Sequence, residues 1–219
     1  MIKLNTVIFD LDGTLLDSMP LWLGCAERYI SSLGLEPEKD LGKKLFSMNM
    51  KEGADYLRNK YNLTFSNQKI CDGVNQVIAI NYKEEIQFKP GAKEFLQELK
   101  ESGTKIALCT NTDRVIFTPA LERLNALKYF DFIFTASETG MSKSKPEIFY
   151  KICLEMEAEP GRTWIFEDSL YALQTAREAG IKTCAIYDET SETDAEEIKQ
   201  ISSVYCKNYK EAENYFFGR

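Results

Sequence analysis

Short runs rich in β-branched and aromatic residues alternate along this chain with longer segments whose apolar positions recur at the helical period. That order predicts an α/β fold, in which βαβ units surround a parallel sheet. Strands are expected at Thr6 to Phe9, Lys105 to Thr110, Phe132 to Thr135, Thr163 to Phe166 and Lys182 to Ile186. Between Phe88 and Gly103, Phe95, Leu96 and Leu99 share one face, Pro90 suits a first helical turn, and Gly103 suits a helix stop. The same reasoning predicts helices over Pro146 to Met156 and Ser169 to Ala179, the second closed by Gly180.

Residues from about Asp17 to Gln87 break this rhythm. Three or four helical segments follow one another there without a convincing strand. The division expected is therefore a core of residues 1–16 and 88–219, interrupted by an inserted helical domain at 17–87. Within the insert Trp22, Leu23, Ala26, Tyr29 and Ile30 suit one amphipathic helix, and Ala54, Leu57 and Tyr61 another. Trp22, Tyr29, Met48 and Met50 are read as core first and as lining of a substrate pocket second. The acidic stretch from Asp188 to Glu197 reads as a solvated loop.

Composition narrows the possible partners. The chain has 219 residues, 44% of them hydrophobic and 28% charged, which suits a packed globular protein. With 27 Lys and Arg against 34 Asp and Glu, the net charge of −7 opposes adhesion to nucleic acid or anionic lipid. No apolar run approaches about 18 residues, so no membrane span is expected, and the N-terminal run is broken by Asn5, Asp10 and Asp12 before a signal-peptide core could form. The six cysteines are widely spaced without a CxxC pair, which favours reduced thiols and a cytoplasmic setting. Histidine is absent, so acid–base chemistry falls to carboxylates, Lys, Tyr or Cys.

The densest chemical signal is VIFDLDGTLLDS at residues 7 to 18, where a strand runs into two carboxylates and a glycine. Positions i and i+2 of an extended segment share a side, and Gly13 allows the chain to curl, so Asp10 and Asp12 can face one pocket. By itself a DxD is more often a turn or a salt-bridged pair. Three further blocks follow in order, each at a predicted strand end or helix start: LCTNT at Leu108 to Thr112, SKSKPEIF at Ser142 to Phe149, and IFEDS at Ile165 to Ser169. Singly these would be a strand-end turn, a surface lysine and a helix cap.

Together the four blocks resemble the haloacid dehalogenase superfamily over essentially the whole chain, specifically its phosphatases and phosphomutases with a helical cap inserted after the first motif. The resemblance implies a Rossmann-like doubly wound core and a phosphatase acting on a small phosphorylated metabolite. It makes Asp10 the nucleophile that forms an aspartyl-phosphate and Asp12 the general acid and base. It places the Thr110 hydroxyl, the Asn111 backbone N–H, Gly13 and Lys143 around the phosphate. Mg²⁺ is implied on Asp10, the Asp12 carbonyl and Asp168, with Glu167 a direct or indirect helper. Two like charges could not otherwise meet in a pocket of low dielectric.

Two departures from the family pattern stand out. SKSKP offers Lys145 as a competitor to Lys143, and Ala172 stands where a glycine is common. A sugar phosphomutase of the same family is the rival enzyme; Asn111 and the lack of arginine in Ser47 to Lys51 weigh against it. Dehalogenation is disfavoured by Asp12, and a noncatalytic ligand-binding protein on the same fold by the intact motifs. A monomer is expected.

Overall fold

A computed structural model describes residues 4–45, 48 and 50–218. By its internal contacts the chain divides into two compact units, one of Met1–Asp17 with Gln87–Arg219, the other Ser18–Ile86.

The first unit is a six-stranded parallel sheet. Its strands are β1 (Thr6–Phe9), β2 (Lys105–Thr110), β3 (Phe132–Thr135), β4 (Thr163–Glu167), β5 (Lys182–Ile186) and β6 (Val204–Cys206), in the order β3-β2-β1-β4-β5-β6. Strands buried on both faces read as continuous apolar runs, and β1 is buried at all four positions. Register pairs Phe9 with Leu108 on one side and Phe166 on the other, which brings the carboxyl ends of β1, β2 and β4 level. The order reverses between β1 and β4, where open α/β sheets form a ligand crevice.

Packing fixes those strand ends from both faces. Below, Phe9 stacks on Phe166 with centroids 4.7 Å apart, and Phe95 meets both rings together with Tyr209 and Phe216. On the other face Ile8, Ala107, Cys109 and Ile165 pack under Phe149, Ile152 and Cys153. Because side chains alternate along a strand, Asp10 shares the side of Ile8, not that of Phe9.

The helix after Phe88 is Ala92–Glu101. Pro90 lies before it rather than in its first turn, because Gly91 takes φ 84° as the N-cap residue and the helix starts only beyond that left-handed bend. Gly103 at φ 77° ends it, with the Gly103 and Thr104 amides returning to Lys100 and Leu99. The helix from Glu147 to Glu155 is capped by Pro146, and that from Leu170 to Glu178 by Ser169. The acidic stretch is solvated at Glu189, Glu192, Asp194, Glu196 and Glu197, but it is helical rather than a loop, and its first acid is buried. Residues Glu189–Asp194 form a 3-10 turn leading into the helix Ala195–Ile201, and Asp188 is buried, 2.8 Å from Lys89 Nζ. Asp188 accepts from the Thr190 amide and hydroxyl, so the acid that looked like surface starts the turn.

The second unit is four helices, Met19–Ser32, Leu41–Leu45, Met50–Lys60 and Asn67–Glu84. Ala26, Tyr29, Ile30, Ala54 and Leu57 are buried as the helical pattern predicts. Tyr61 lies just past its helix and accepts from the Glu38 amide. Trp22, Met48 and Met50 line an apolar cavity of about 170 Å³ within this unit. No helix of the described residues is long and apolar enough to cross a membrane.

Phe95→Ala removes the ring on which Phe9, Phe166, Tyr209 and Phe216 converge. It should cost about 3–5 kcal/mol of unfolding free energy, measured by urea denaturation followed by circular dichroism. A loss below about 1 kcal/mol would show that these rings do not form one packed core.

Candidate active site

Asp10 leaves the end of β1 with its amide still in the sheet, donating to the Phe166 carbonyl at 2.9 Å. Its carboxylate is 4% exposed. Lys143 reaches it from the loop before the Glu147 helix, and the ammonium donates to Asp10 Oδ1 at 2.5 Å and to Glu167 Oε2 at 2.7 Å. That loop is a tight turn, with the Lys145 amide on the Ser142 carbonyl, so Lys143 points in and Lys145 is exposed. Of the two lysines that the sequence offers, the fold brings Lys143 alone into the cluster.

Glu167 ends β4 and is saturated with hydrogen bonds. Oε2 holds Lys143, while Oε1 accepts from the Asp168 amide and from the amide and hydroxyl of Ser169, at the start of the helix Leu170–Glu178. Asp168 is buried and accepts from the Thr14 hydroxyl at 3.2 Å. Ligand oxygens of Asp10, Glu167 and Asp168 lie within 4.8 Å of one another.

Three carboxylates thus share one ammonium, and their proton affinities divide accordingly. Burial first, then the charge of Glu167, lifts Asp10 to about 7, although Lys143 pulls the other way and Asp12 adds a smaller push upward. Asp168 is raised well above the carboxylate range by burial, then by Glu167 and Asp10. Burial also works against the Glu167 charge, but Lys143 and Ser169 outweigh it and hold that group low. Lys143 stays protonated, because its two carboxylates more than offset its desolvation. Asp10 Oδ2 is buried and has no hydrogen-bond partner among the described residues. An orphaned carboxyl oxygen, in a cluster with two more acidic side chains than ammoniums, fits a divalent cation with oxygen ligands.

The other predicted residues surround this cluster. Gly13 sits at φ 81° and bends the loop after β1, but its amide donates to the Leu16 carbonyl at 3.0 Å. It thus supplies the bend, and its amide serves the loop. Thr110 ends β2, buried, with Oγ1 accepting from the Thr112 amide. Asn111 is exposed, and its side-chain amide donates to the Tyr171 hydroxyl at 2.9 Å. Asp12 is half-buried and its Oδ2 accepts from the Thr112 hydroxyl at 2.6 Å. Ala172 is fully buried in its helix. Cys109 is buried and its thiol is pushed up to about 12 by burial, so it packs and does not react.

Three residues of this site carry no assignment from sequence. Thr14 and Thr112 lie inside the motif blocks and could have been suspected as hydroxyl donors to the acids; Tyr171 matches no motif, and only the folded helix brings it to Asn111. Of the stretch Ser47 to Lys51, residues Ser47 and Asn49 lie outside the described residues.

Known proteins resemble this chain in sequence and in fold. A Thermotoga maritima protein named phosphorylated carbohydrates phosphatase is 28% identical over 179 residues, covering 82% of this chain and 83% of its own. A phosphoglycolate phosphatase of Pseudomonas fluorescens is 27% identical over 192 residues, covering 82% of this chain and 68% of its own. Among solved structures, a candidate beta-phosphoglucomutase of Thermotoga maritima superposes with a TM-score of 0.80 at 26% identity, over 93% of this chain and 94% of that one. The sequence profile of the haloacid dehalogenase-like hydrolases matches residues 7–186, and the chain belongs to that family.

Proposed function

We propose that the protein is a Mg²⁺-dependent phosphatase that hydrolyses a small phosphorylated metabolite through an aspartyl-phosphate on Asp10. The observation that carries this reading is the buried Asp10 carboxyl group, clustered with Glu167 and Asp168, with Lys143 on one oxygen and the other oxygen unpaired. The names of relatives similar over most of the chain point the same way.

Asp10, Asp168 and the main-chain carbonyl of Asp12 would hold the cation, whose charge would bring Asp10 and an anionic phosphate together. Glu167 is not needed as a ligand, because both its oxygens already anchor Lys143 and the helix start. Asp10 attacks phosphorus and displaces the leaving oxygen, which takes a proton from Asp12. Asp12 then removes a proton from the water that hydrolyses the aspartyl-phosphate. The Thr110 hydroxyl and the Asn111 backbone N–H bind phosphoryl oxygens, and Lys143 offsets the charge that spreads over them. The helical unit is the cap in this reading and selects the leaving group. A phosphomutase is the second reading, favoured by the beta-phosphoglucomutase-like neighbour, and it differs only in returning the phosphoryl group to substrate.

Asp10→Asn should remove detectable hydrolysis of p-nitrophenyl phosphate and phosphorylated sugars while the melting curve stays cooperative. Wild-type turnover by this variant would remove Asp10 as nucleophile. Free phosphate without an isomerised sugar phosphate, seen by phosphorus NMR, separates phosphatase from mutase.

A second test uses protons. In the metal-free fold Asp10 titrates near 7 against 3.8 for an ordinary aspartate, so between those values the folded chain holds more protons than the unfolded one. Stability contributed by this group therefore falls as pH rises through that window and levels off above it, and Asp168 acts in the same direction. The metal-free protein should melt at lower temperature at about pH 7.5 than at about pH 5.5, and Mg²⁺ should raise the melting temperature more at the higher pH, where it displaces fewer protons. An equal Mg²⁺ shift at both values would remove Asp10 and Asp168 as the ligands.

A further inference from the structure

The turn that closes β2 does more than present Thr110. Thr112 is 7% exposed, its amide donates to Thr110 Oγ1 at 3.0 Å, and its hydroxyl donates to Asp12 Oδ2 at 2.6 Å. A hydroxyl carries one hydrogen, so this bond defines where the hydroxyl of Thr112 points. The amide contact also occupies the Thr110 oxygen as an acceptor, which directs the Thr110 hydrogen elsewhere. One three-residue turn thereby orients two hydroxyls, one from each threonine.

The acid at position 12 needs such a partner. The terminal torsion of an aspartate is broad, with no sharp rotamer to aim its oxygens. Asp12 sits in the bend made by Gly13, whereas Asp10 is locked by strand and ammonium. A β-branched side chain has few χ1 choices, and here its backbone is anchored as well, so Thr112 is a rigid donor. Proton transfer is sensitive to placement at the scale of a hydrogen bond.

We propose that Thr112 is a positioning residue for Asp12: its hydroxyl, donated to Oδ2, fixes the orientation of the carboxyl group that moves the proton. The step rests on the phosphatase reading. In the first half-reaction the Asp10 to phosphorus bond forms, the bond from phosphorus to the leaving oxygen breaks, and the Asp12 proton goes to that oxygen. In the second, Asp12 takes a proton from water as water's oxygen bonds to phosphorus and the Asp10 bond breaks, leaving Asp12 protonated for the next cycle.

The test is single-turnover cleavage of aryl phosphates from p-nitrophenyl to p-methoxyphenyl, with Mg²⁺, in wild type, Thr112→Val, Thr112→Ala and Thr112→Ser. A nitrophenolate leaves with little help from an acid, whereas a methoxyphenolate needs the proton. Thr112→Val should lose about tenfold or more on the methoxyphenyl ester and several-fold less on the nitrophenyl ester, Thr112→Ala should follow it, and Thr112→Ser should recover most of the loss. In the Asp12→Asn background Thr112→Val should add no further loss. Equal losses across the series, no rescue by serine, or full additivity with Asp12→Asn would each overturn the assignment and leave Thr112 a packing residue. Should Thr112→Val not fold, the alanine and serine variants carry the same comparison. If wild type cleaves none of these esters, or Asp10→Asn cleaves them normally, the phosphatase reading itself falls and takes this assignment with it.

Discussion

A single ammonium shared among three buried carboxylates sets the terms for this site. Lys143 bonds both Asp10 and Glu167, yet Asp168 stands beside them, so the cluster carries more negative charge than its lysine can answer. Burying such an excess is costly, and the molecule meets the cost by proton uptake on Asp10 and Asp168 when no cation is at hand. The arrangement is therefore built for something the chain does not supply. A divalent cation would replace those protons and restore the anionic Asp10 that attack on phosphorus requires.

The fold exists to make that crowding possible. Asp10, Glu167 and Asp168 meet because β1 and β4 are neighbours in register, and they stay together because Phe9 and Phe166, the residues just before Asp10 and Glu167, stack against each other. Lys143 arrives from a third direction, on a loop tied down by its own serine and lysine turn. Every one of these groups belongs to the sheet-bearing unit.

Much of this was legible in the sequence, for identifiable reasons. Four strands were readable to the residue, and β4 to within one, because a parallel strand covered on both faces is an unbroken apolar run. The short edge strand Val204–Cys206 escaped because three residues with a half-buried tyrosine offer no run to see. Asp188 was misread because sequence shows charge but not the half-buried Lys89 that faces it. Among the site residues, spacing to Pro146 and Phe149 favours Lys143 over Lys145, and the turn buries Lys143 and leaves Lys145 exposed. Gly13 was readable as a bend, but the bond from its amide to the Leu16 carbonyl was not, since a loop's internal hydrogen bonds leave no trace in composition.

Glu167 shows how one saturated residue partitions the rest. Were its oxygens open, the cluster would be an undivided acidic trio and any pair of acids could hold a cation. Because Oε1 is committed to the helix start and Oε2 to the ammonium, Glu167 keeps its charge low in proton affinity and pins Lys143 against Asp10 from the far side. That leaves Asp10 with two unlike oxygens: Oδ1 bonded to the ammonium and Oδ2 buried without a hydrogen-bond partner among the described residues. A nucleophilic carboxylate needs that asymmetry, since positive charge must flank it on both sides to admit an anionic substrate while neither side may neutralise it by taking its place in the bond to phosphorus.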